Sequence, residues 1–391
     1  MNIRRFIVAG IYCVCVAFGG FAGGAGAPVG ASPFASAQAP ASQSEAPGPQ
    51  SADALPVRST RLERREAAGG LQPVVAAIAA RERATAWLAW TVPAVARSHH
   101  RSDSPERGWQ RDVAGCVLDD EGRFQNGSST RDDTTALVVL ARLAGEVIDR
   151  VTFTDARCTV QAGARTVYWI DGVRPADSVT LLEQIVRRDT SEAPQREHAA
   201  RAPERARSGA LAVIALTDDP SSDRVLEGFV APEISSTVRR DAAFWLGAAR
   251  GAVGAEVVDR LSRTDRDESF REHLTFVLTL TGDAGIDRLV DLARHDASSR
   301  VRGQALFWVA QKAGERAVGT LADAVEDDPD VEVRKRAVFA ISQLPRDEGV
   351  PKLIALAGTH RDREVRKQAM FWLGQTGDAR ALAFFEQVLG R

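Results

Sequence analysis

The chain has 391 residues, of which 44% are hydrophobic and 26% are charged, a composition typical of a folded protein of two or three domains. Lys and Arg together number 50, Asp and Glu number 52, and the formal charge is −2 at pH 7. Binding to a phosphate backbone depends on an excess of cations. We therefore expect no nucleic-acid partner.

The amino terminus has the layout of a secretory signal peptide. Arg4 and Arg5 precede an apolar run, and candidate cleavage sites end at Ala27 and Ala39. The run is short for a membrane span, which needs roughly 20 apolar residues, although an uncleaved anchor is the alternative. We expect a signal over residues 1–39, export to the periplasm or the medium, and no stable membrane span after cleavage.

Residues 40–60 are rich in Ala, Pro, Ser and Gln, and they carry almost no large apolar side chain. Such a composition predicts a flexible linker. From Arg61 to about Arg81 apolar residues recur at helical spacing, which predicts a helix. Charges crowd together again at residues 191–205, where we predict a second linker.

Between these linkers, short runs rich in β-branched and aromatic residues alternate with turn-forming residues. The runs begin at Thr85, Val113, Thr135, Val147 and Thr166. They predict a small antiparallel sheet with a hairpin turn at residues 144–146 and a closing helix over residues 176–188. We therefore expect a small α+β domain over residues 61–190.

Cys116 and Cys158 are the cysteines that remain after removal of the signal, since Cys13 and Cys15 lie in its apolar run. An exported chain is permissive for disulfides. We predict a bridge between Cys116 and Cys158, and the alternative is two free thiols.

The C-terminal half of the chain repeats one pattern. VRGQALFWVAQKAG at 301, VRKRAVFAISQLP at 333 and VRKQAMFWLGQTG at 365 recur every 32 residues. A fixed period of this size indicates a stacked repeat protein. Extending the same spacing upstream predicts six units over residues 206–391, and their opening pairs begin at Ala206, Val238, Phe270, Val301, Val333 and Val365.

Each unit is predicted to be a helical hairpin. Counting the first residue of the pair as position zero, apolar residues occupy positions zero, four and eight, and a Gly or Pro then ends the first helix. A second apolar-periodic run follows. A residue that favours the N-cap stands three positions before five of the six pairs. These residues are Ser235, Asp267, Ser298, Asp330 and Asp362.

The units resemble HEAT repeats of the short phycobilisome-lyase-like type, in which a D-x-x-V-R opening precedes an Ala-rich helix, a Gly-Asp turn and a Leu-rich helix. The resemblance covers residues 206–391 and implies an α-α superhelix, or solenoid. The expected fold is thus mostly α, with the solenoid preceded by a small α+β domain that has an antiparallel sheet. The same repeat occurs in many scaffolding proteins, so the resemblance does not specify the function.

Position one of every unit is arginine, which places one guanidinium at the same height on successive helices. The column could bind an acidic partner, or it could form a ladder with turn carboxylates of adjacent units, which we favour. Its members are Arg207, Arg239, Arg271, Arg302, Arg334 and Arg366.

Position six is phenylalanine in five units, namely Phe244, Phe276, Phe307, Phe339 and Phe371. Tryptophan follows at position seven in alternate units, as Trp245, Trp308 and Trp372. Helical spacing predicts core packing for the phenylalanines. Adjacent side chains point about 100° apart on a helix, so we take the tryptophans as candidates for a partner-facing surface, together with the arginines.

We find no catalytic or metal-binding motif in the sequence. His99 and His100 are adjacent but lack further ligands at zinc-site spacing, and the acidic run at residues 327–330 lacks the remaining positions of a calcium loop. We therefore expect an exported scaffold without catalytic activity or cofactor that binds a protein partner. Two alternatives are an enzyme of the bilin-lyase kind and a regulator of an envelope enzyme or sensor.

The disulfide prediction can be tested by a free-thiol assay on non-reduced protein that begins at residue 40. We expect no reactive thiol without reductant and two after unfolding in reductant. Two thiols in the non-reduced, unfolded protein would refute the bridge.

Overall fold

The computed structural model describes residues 55–95, 116–119, 122–124, 134–191 and 201–390. The predicted signal peptide, most of the predicted linker over residues 40–60, and His99 with His100 lie outside the described residues. The structural statements below concern the described part of the chain.

A sheet of six strands forms the amino-terminal part of the structure. The strands are β1 (Val57–Glu66), β2 (Ala86–Pro93), β3 (Cys116–Val117), β4 (Ala136–Ala144), β5 (Val147–Asp155) and β6 (Val160–Asp171). Their order is β1-β6-β2-β4-β5, and β3 also pairs with β6. The β4–β5 hairpin and the β2–β4 pair are antiparallel, but β1, β2 and β3 all run parallel to β6. The sheet is therefore mixed rather than purely antiparallel.

Strand β1 lies where the sequence predicted the end of a linker and the start of a helix. Most of its side chains are exposed, so the run shows no apolar alternation that would mark a strand. Its partner β6 is distant in sequence, and Leu62 is paired with Val167. Charged side chains are a common means of protecting an exposed sheet edge. The predicted helix begins later, as α1 (Leu71–Arg81).

The predicted disulfide between Cys116 and Cys158 is confirmed, with the two Cα atoms 5.9 Å apart. Cys116 lies beside Val160 at the start of β6. The bridge thereby holds the short strand β3 against β6. An apolar cluster of the sheet that includes Trp87 and Trp169 is separate from the main core described below.

Helices make up the rest of the structure. Helix α2 (Pro175–Ser191) closes the sheet, as predicted. Six helical hairpins then follow within residues 201–390: α3 (Arg201–Leu216) with α4 (Pro220–Phe229), α5 (Ser236–Ala249) with α6 (Gly251–Thr264), α7 (Glu268–Leu278) with α8 (Asp283–His295), α9 (Ser299–Lys312) with α10 (Glu315–Asp327), α11 (Val331–Ser342) with α12 (Arg346–Thr359), and α13 (Arg363–Thr376) with α14 (Ala379–Leu389).

The first helices begin at the predicted N-caps. Asp267, Ser298, Asp330 and Asp362 each accept a hydrogen bond from a backbone N–H of the first turn, which satisfies a donor that has no partner within the helix. Ser235 also occupies the N-cap position, but its side chain makes no capping hydrogen bond.

The sheet and the helical hairpins share one hydrophobic core. The main cluster of buried side chains continues from the sheet through every hairpin. Helix α3 lies against β5, and Gly209 lies so close to the backbone of Val151 that a Cβ at this position would overlap the Val151 carbonyl. Helix α3, which begins inside the segment predicted as a linker, thus lies directly on the sheet. The sheet covers the first end of the stack, as terminal caps do in repeat proteins.

No helix in the described part of the chain is long and apolar enough to cross a membrane.

The close contact at Gly209 predicts that Gly209→Ala lowers the free energy of unfolding by about 1–3 kcal/mol, because the added methyl group overpacks the junction. Gly374→Ala is the matched control, since it also lies within a helix but has nothing near its Cβ direction. We expect the control to stabilise the protein by about 0.5–1 kcal/mol through helix propensity. Chemical denaturation measures both, and equal effects of the two changes would contradict the close packing.

Candidate partner-binding surface

The arginines of position one form a ladder between successive units. Arg302 donates from Nε and Nη2 to both carboxylate oxygens of Asp328, over 2.8 and 2.9 Å, and from Nη1 to the carbonyl of Asp296 at 2.9 Å. Arg271 makes the same contacts one unit earlier, to Asp296 and to the carbonyl of Asp265. Each of these guanidiniums therefore joins the turn before its own helix to the turn before the next.

The acceptors of the ladder are a second column, which the sequence analysis did not resolve as a set. Asp265, Asp296 and Asp328 each follow the second helix of a unit as its C-cap residue. One carboxylate oxygen of each also accepts the backbone N–H two residues later, just before the next helix. The period of about 32 residues in these aspartates was visible in the sequence and could have identified them.

The first rung of this ladder is also buried. The Arg239 side chain is 4% exposed, pairs with Asp265 at 2.5 Å, donates to the carbonyl of Val230 and lies over the ring of Phe270, 3.9 Å from its centroid. Burial of a charge is costly unless it is paired and hydrogen-bonded, and here both conditions are met.

The ladder changes at Arg334, because His360 occupies the position of the aspartate. His360 Nδ1 accepts the backbone N–H of Asp362, as the aspartates do in the earlier turns. Arg334 pairs with Asp362 at 2.7 Å instead, and Arg366 donates to the carbonyls of His360 and Arg361. The Arg334 guanidinium holds the pKa of the Asp362 carboxyl below its ordinary value.

These contacts support the ladder interpretation of the arginine column. The guanidiniums of Arg239, Arg271, Arg302, Arg334 and Arg366 are engaged by carboxylates or carbonyls of the chain itself. The geometry favours a role of these arginines in the stacking of units, and their binding to a partner stays a prediction. Asp328 and Asp330 likewise serve the ladder and an N-cap rather than a cation loop, and no cluster among the described residues has the side chains to hold a metal ion.

The aromatic residues of positions six and seven form one continuous strip along the first helices, which we call the aromatic strip. Rings of Phe244 and Phe276 stack at 6.3 Å between centroids and those of Phe307 and Phe339 at 6.2 Å, with nearly parallel planes. Trp308 and Trp372 each bridge two phenylalanines at 4.8–5.3 Å, and Trp245 contacts Phe244 at 5.2 Å. The full strip is Phe244, Trp245, Phe276, Phe307, Trp308, Phe339, Phe371 and Trp372.

The structure places both kinds of ring at the boundary between core and surface. Trp245, Trp308 and Trp372 are partly buried and pack against the main core, as does Phe276. The other phenylalanines of position six are partly buried, except that Phe371 is 55% exposed. The five phenylalanines, which we call the phenylalanine column, therefore join the tryptophans as partner-facing candidates.

Helix geometry explains why Phe371 is more exposed than its neighbour Trp372. At 100° per residue, the apolar stripe of positions zero, four and eight is centred about 40° from position zero. Position six lies about 160° from that centre, whereas position seven lies about 60° from it. Phenylalanine thus occupies the side opposite the core, and this signal was present in the sequence.

Glutamines accompany the phenylalanine column at position ten, one helical turn further on. Gln311, Gln343 and Gln375 are all exposed. Within the described residues, the Gln343 amide donates to Ser342 Oγ at 3.0 Å, and the amides of Gln311 and Gln375 make no hydrogen bond. We call these three residues the glutamine row.

The second helices carry a different kind of surface. Their charged side chains form ion pairs between neighbouring units, such as Arg288 with Asp259 at 2.6 Å and Arg294 with Asp323 at 2.9 Å. Arg260 with Glu227 and Arg316 with Asp287 continue this pattern. Surface charges on this side are therefore partly satisfied within the chain.

His273 lies on α7 beside the aromatic strip. Its ring is 6.5 Å from the ring of Phe270 and 6.4 Å from that of Phe276, and its Nε2 lies 3.1 Å from the carbonyl oxygen of Arg240, to which the neutral ring can donate. Burial lowers the pKa of His273 to about 4, and the positive charge of Arg240 adds to this effect.

The ladder predicts that Arg302→Gln lowers the free energy of unfolding by about 3–5 kcal/mol, because it leaves the buried Asp328 carboxylate without its cation. Arg366→Gln is the control, since Arg366 bonds only to carbonyls, and it should cost about 1 kcal/mol. Thermal and urea melts measure both variants. A melting temperature that holds in the Arg302 variant would return this residue to the partner-binding candidates.

The depressed pKa of His273 predicts a loss of stability in mild acid. The unfolded state takes up a proton near pH 6.5, whereas the folded state does so only near pH 4. The contribution is therefore complete above pH 6.5 and falls by about 1–3 kcal/mol as the pH drops to 4. In the His273→Gln variant, the free energy of unfolding measured in urea should depend less on pH between pH 6.5 and 4. An unchanged pH dependence in the variant would contradict the assignment.

Comparison with known protein families finds a match in the C-terminal repeats. The model of the HEAT-repeat family matches residues 286–358 and 318–391. No curated protein matches the chain in a sequence search.

Solved structures similar to the chain include human deoxyhypusine hydroxylase in complex with glycerol, at 18% identity over 54% of this chain and 90% of that one, with a TM-score of 0.26. The complex of CpcE and CpcF of phycocyanin lyase from Nostoc is similar at 15% identity over 55% of this chain and 86% of that one, also with a TM-score of 0.26. We base no argument on likenesses of this degree. The family match, together with the repeated hairpins, identifies residues 286–391 as HEAT repeats.

Proposed function

We propose that this protein is an exported scaffold without catalytic activity, which binds a protein partner through the first helices of its HEAT repeats. The phenylalanine column carries the proposal. It places five aromatic side chains in register along the first helices, four of them partly buried and Phe371 55% exposed. Aromatic side chains are enriched where protein interfaces gain most of their binding energy.

The exposed area of the phenylalanine column supports this choice of surface. The column adds ring contacts between units, such as Phe244 with Phe276 and Phe307 with Phe339, and keeps part of its area accessible. An exposed ring such as Phe371 gains little from folding and offers apolar area to a partner. A surface that repeats along the units suits an elongated contact, since each unit adds a similar patch.

Export rests on the amino-terminal pattern and is supported by the disulfide. A bridge between Cys116 and Cys158 persists in an oxidising compartment and is rare in a reducing cytosol. The proposed site of action is therefore the periplasm or the medium.

The test is chemical cross-linking of the purified protein to components of the cell envelope, followed by identification of the captured protein. We expect the double variant Phe307→Ala with Phe339→Ala to reduce capture of one defined partner at least about tenfold, because two aromatic contacts are lost. Val253→Ala is the control, since Val253 is 52% exposed on α6, a second helix, and its variant should capture normally.

Circular dichroism and melting curves establish that the variants keep their helices. Capture that is unchanged in the double variant would refute the proposed surface. Turnover of a bilin pigment by the purified protein would refute a purely non-catalytic role.

A further inference from the structure

A cleft opens between the last two units, beside the end of the phenylalanine column. Its volume is about 300 Å³, and it lies among the C-terminal ends of α11 and α13 and the start of α12. Leu344, Val350 and Leu353 line it and are buried, which gives the cleft an apolar floor. This volume lies at the lower end of the range for ligand sites, and it is enough for one large side chain with its adjoining peptide groups.

The polar lining of the cleft is dominated by side-chain amides and hydroxyls. Gln343 and Gln375 of the glutamine row both line it, on adjacent first helices. The hydroxyls of Ser342 and Thr376 are already used, since each donates to a carbonyl of its own helix. The lining includes no carboxylate and a single cation, Arg346. A strongly charged ligand therefore finds little complementary charge here.

Trp372 also lines the cleft and supplies a further donor. Its indole Nε1, like that of Trp308, is buried and has no hydrogen-bond partner among the described residues. A buried donor without an acceptor is costly. A small rotation of the Trp372 ring towards the cleft would bring this N–H to an acceptor carried by a ligand.

We propose that this cleft binds an extended, uncharged peptide segment of the partner, with an apolar side chain such as leucine or proline on the floor. The proposal rests on the proposed scaffold function and specifies the chemistry of the partner. A side-chain amide presents one acceptor and two donors, so it can pair with both the N–H and the C=O of a peptide group. In a folded element these backbone groups are already paired, and they are free only in an extended segment.

The spacing of the glutamines agrees with this occupant. Gln343 and Gln375 lie at the ends of adjacent first helices, and the axes of packed helices are about 8–10 Å apart. Three residues of an extended chain cover about 9–10 Å. Peptide groups three residues apart can therefore meet both amides while the side chain between them enters the cleft.

The experiment is selection of a phage-displayed library of random dodecapeptides on the full-length exported chain, followed by fluorescence anisotropy of the best selected peptide. We expect uncharged sequences with leucine or proline to be enriched. Gln343→Ala with Gln375→Ala should weaken binding of that peptide about tenfold, which corresponds to the loss of about two hydrogen bonds. Gln311→Ala is the matched control, because Gln311 belongs to the same row but lies outside the cleft, and it should leave binding unchanged.

A second measurement tests the backbone contacts directly. N-methylation of the peptide groups that flank the apolar residue removes their donors and should weaken binding by a similar factor, while methylation at the ends of the peptide should not. Enrichment of acidic sequences, enrichment of amphipathic helices, failure to enrich any peptide, or equal binding by the double glutamine variant would each overturn the proposal.

Failure of this proposal is distinguishable from failure of the scaffold function. A partner whose capture requires Phe307 and Phe339 but is not displaced by a selected peptide would leave the scaffold function in place and reject the extended segment. If no partner depends on the phenylalanine column, the scaffold function itself fails.

Discussion

The pairing of a buried arginine with the aspartate of the next turn is the interaction on which the repeat array depends. Arg302 and Asp328 are both nearly inaccessible to water, and either one alone would be an uncompensated buried charge. The pair is satisfied only when consecutive hairpins lie in one register, because its two members come from different units. The ladder therefore fixes the register that the apolar stripes, which are nondirectional, leave free.

This use of the arginines determines what remains for recognition. A chain with nearly balanced charge, whose position-one cations bond within the array, has little to offer a highly charged ligand. The residues of the first helices that keep accessible area are the phenylalanine column and the glutamine row. One supplies apolar area and the other supplies donors and acceptors without charge. Together they suit a polypeptide better than an anion, which is the physical basis of both proposals.

The sheet gives the stack a fixed end. Helix α3 lies on β5 at Gly209, so the first hairpin is held by a part of the chain that is not a repeat. The disulfide ties β3 to the start of β6, the strand that also pairs with β1 and β2. The first hairpin is thus anchored by long-range pairing, whereas the later hairpins contact mainly their neighbours.

The sequence by itself determined the features that depend on local or periodic chemistry. The capping aspartates and the helix-ending glycines act within a single hairpin, and the 32-residue period follows from the recurrence of that hairpin. The Cys116–Cys158 bridge followed from a simple count of cysteines. The orientation of Phe307 and Trp308 was also available, since it requires only the angle between adjacent residues on a helix.

Only the tertiary structure decided the features that join distant parts of the chain. Strand β1 is specified by its parallel partner β6 and not by its own charged residues, so no local pattern predicted it. The contact of α3 with the sheet and the union of two predicted domains in one core likewise arise from surfaces that meet only after folding. The sequence showed which residues recur, and the folded chain alone showed which of them face each other.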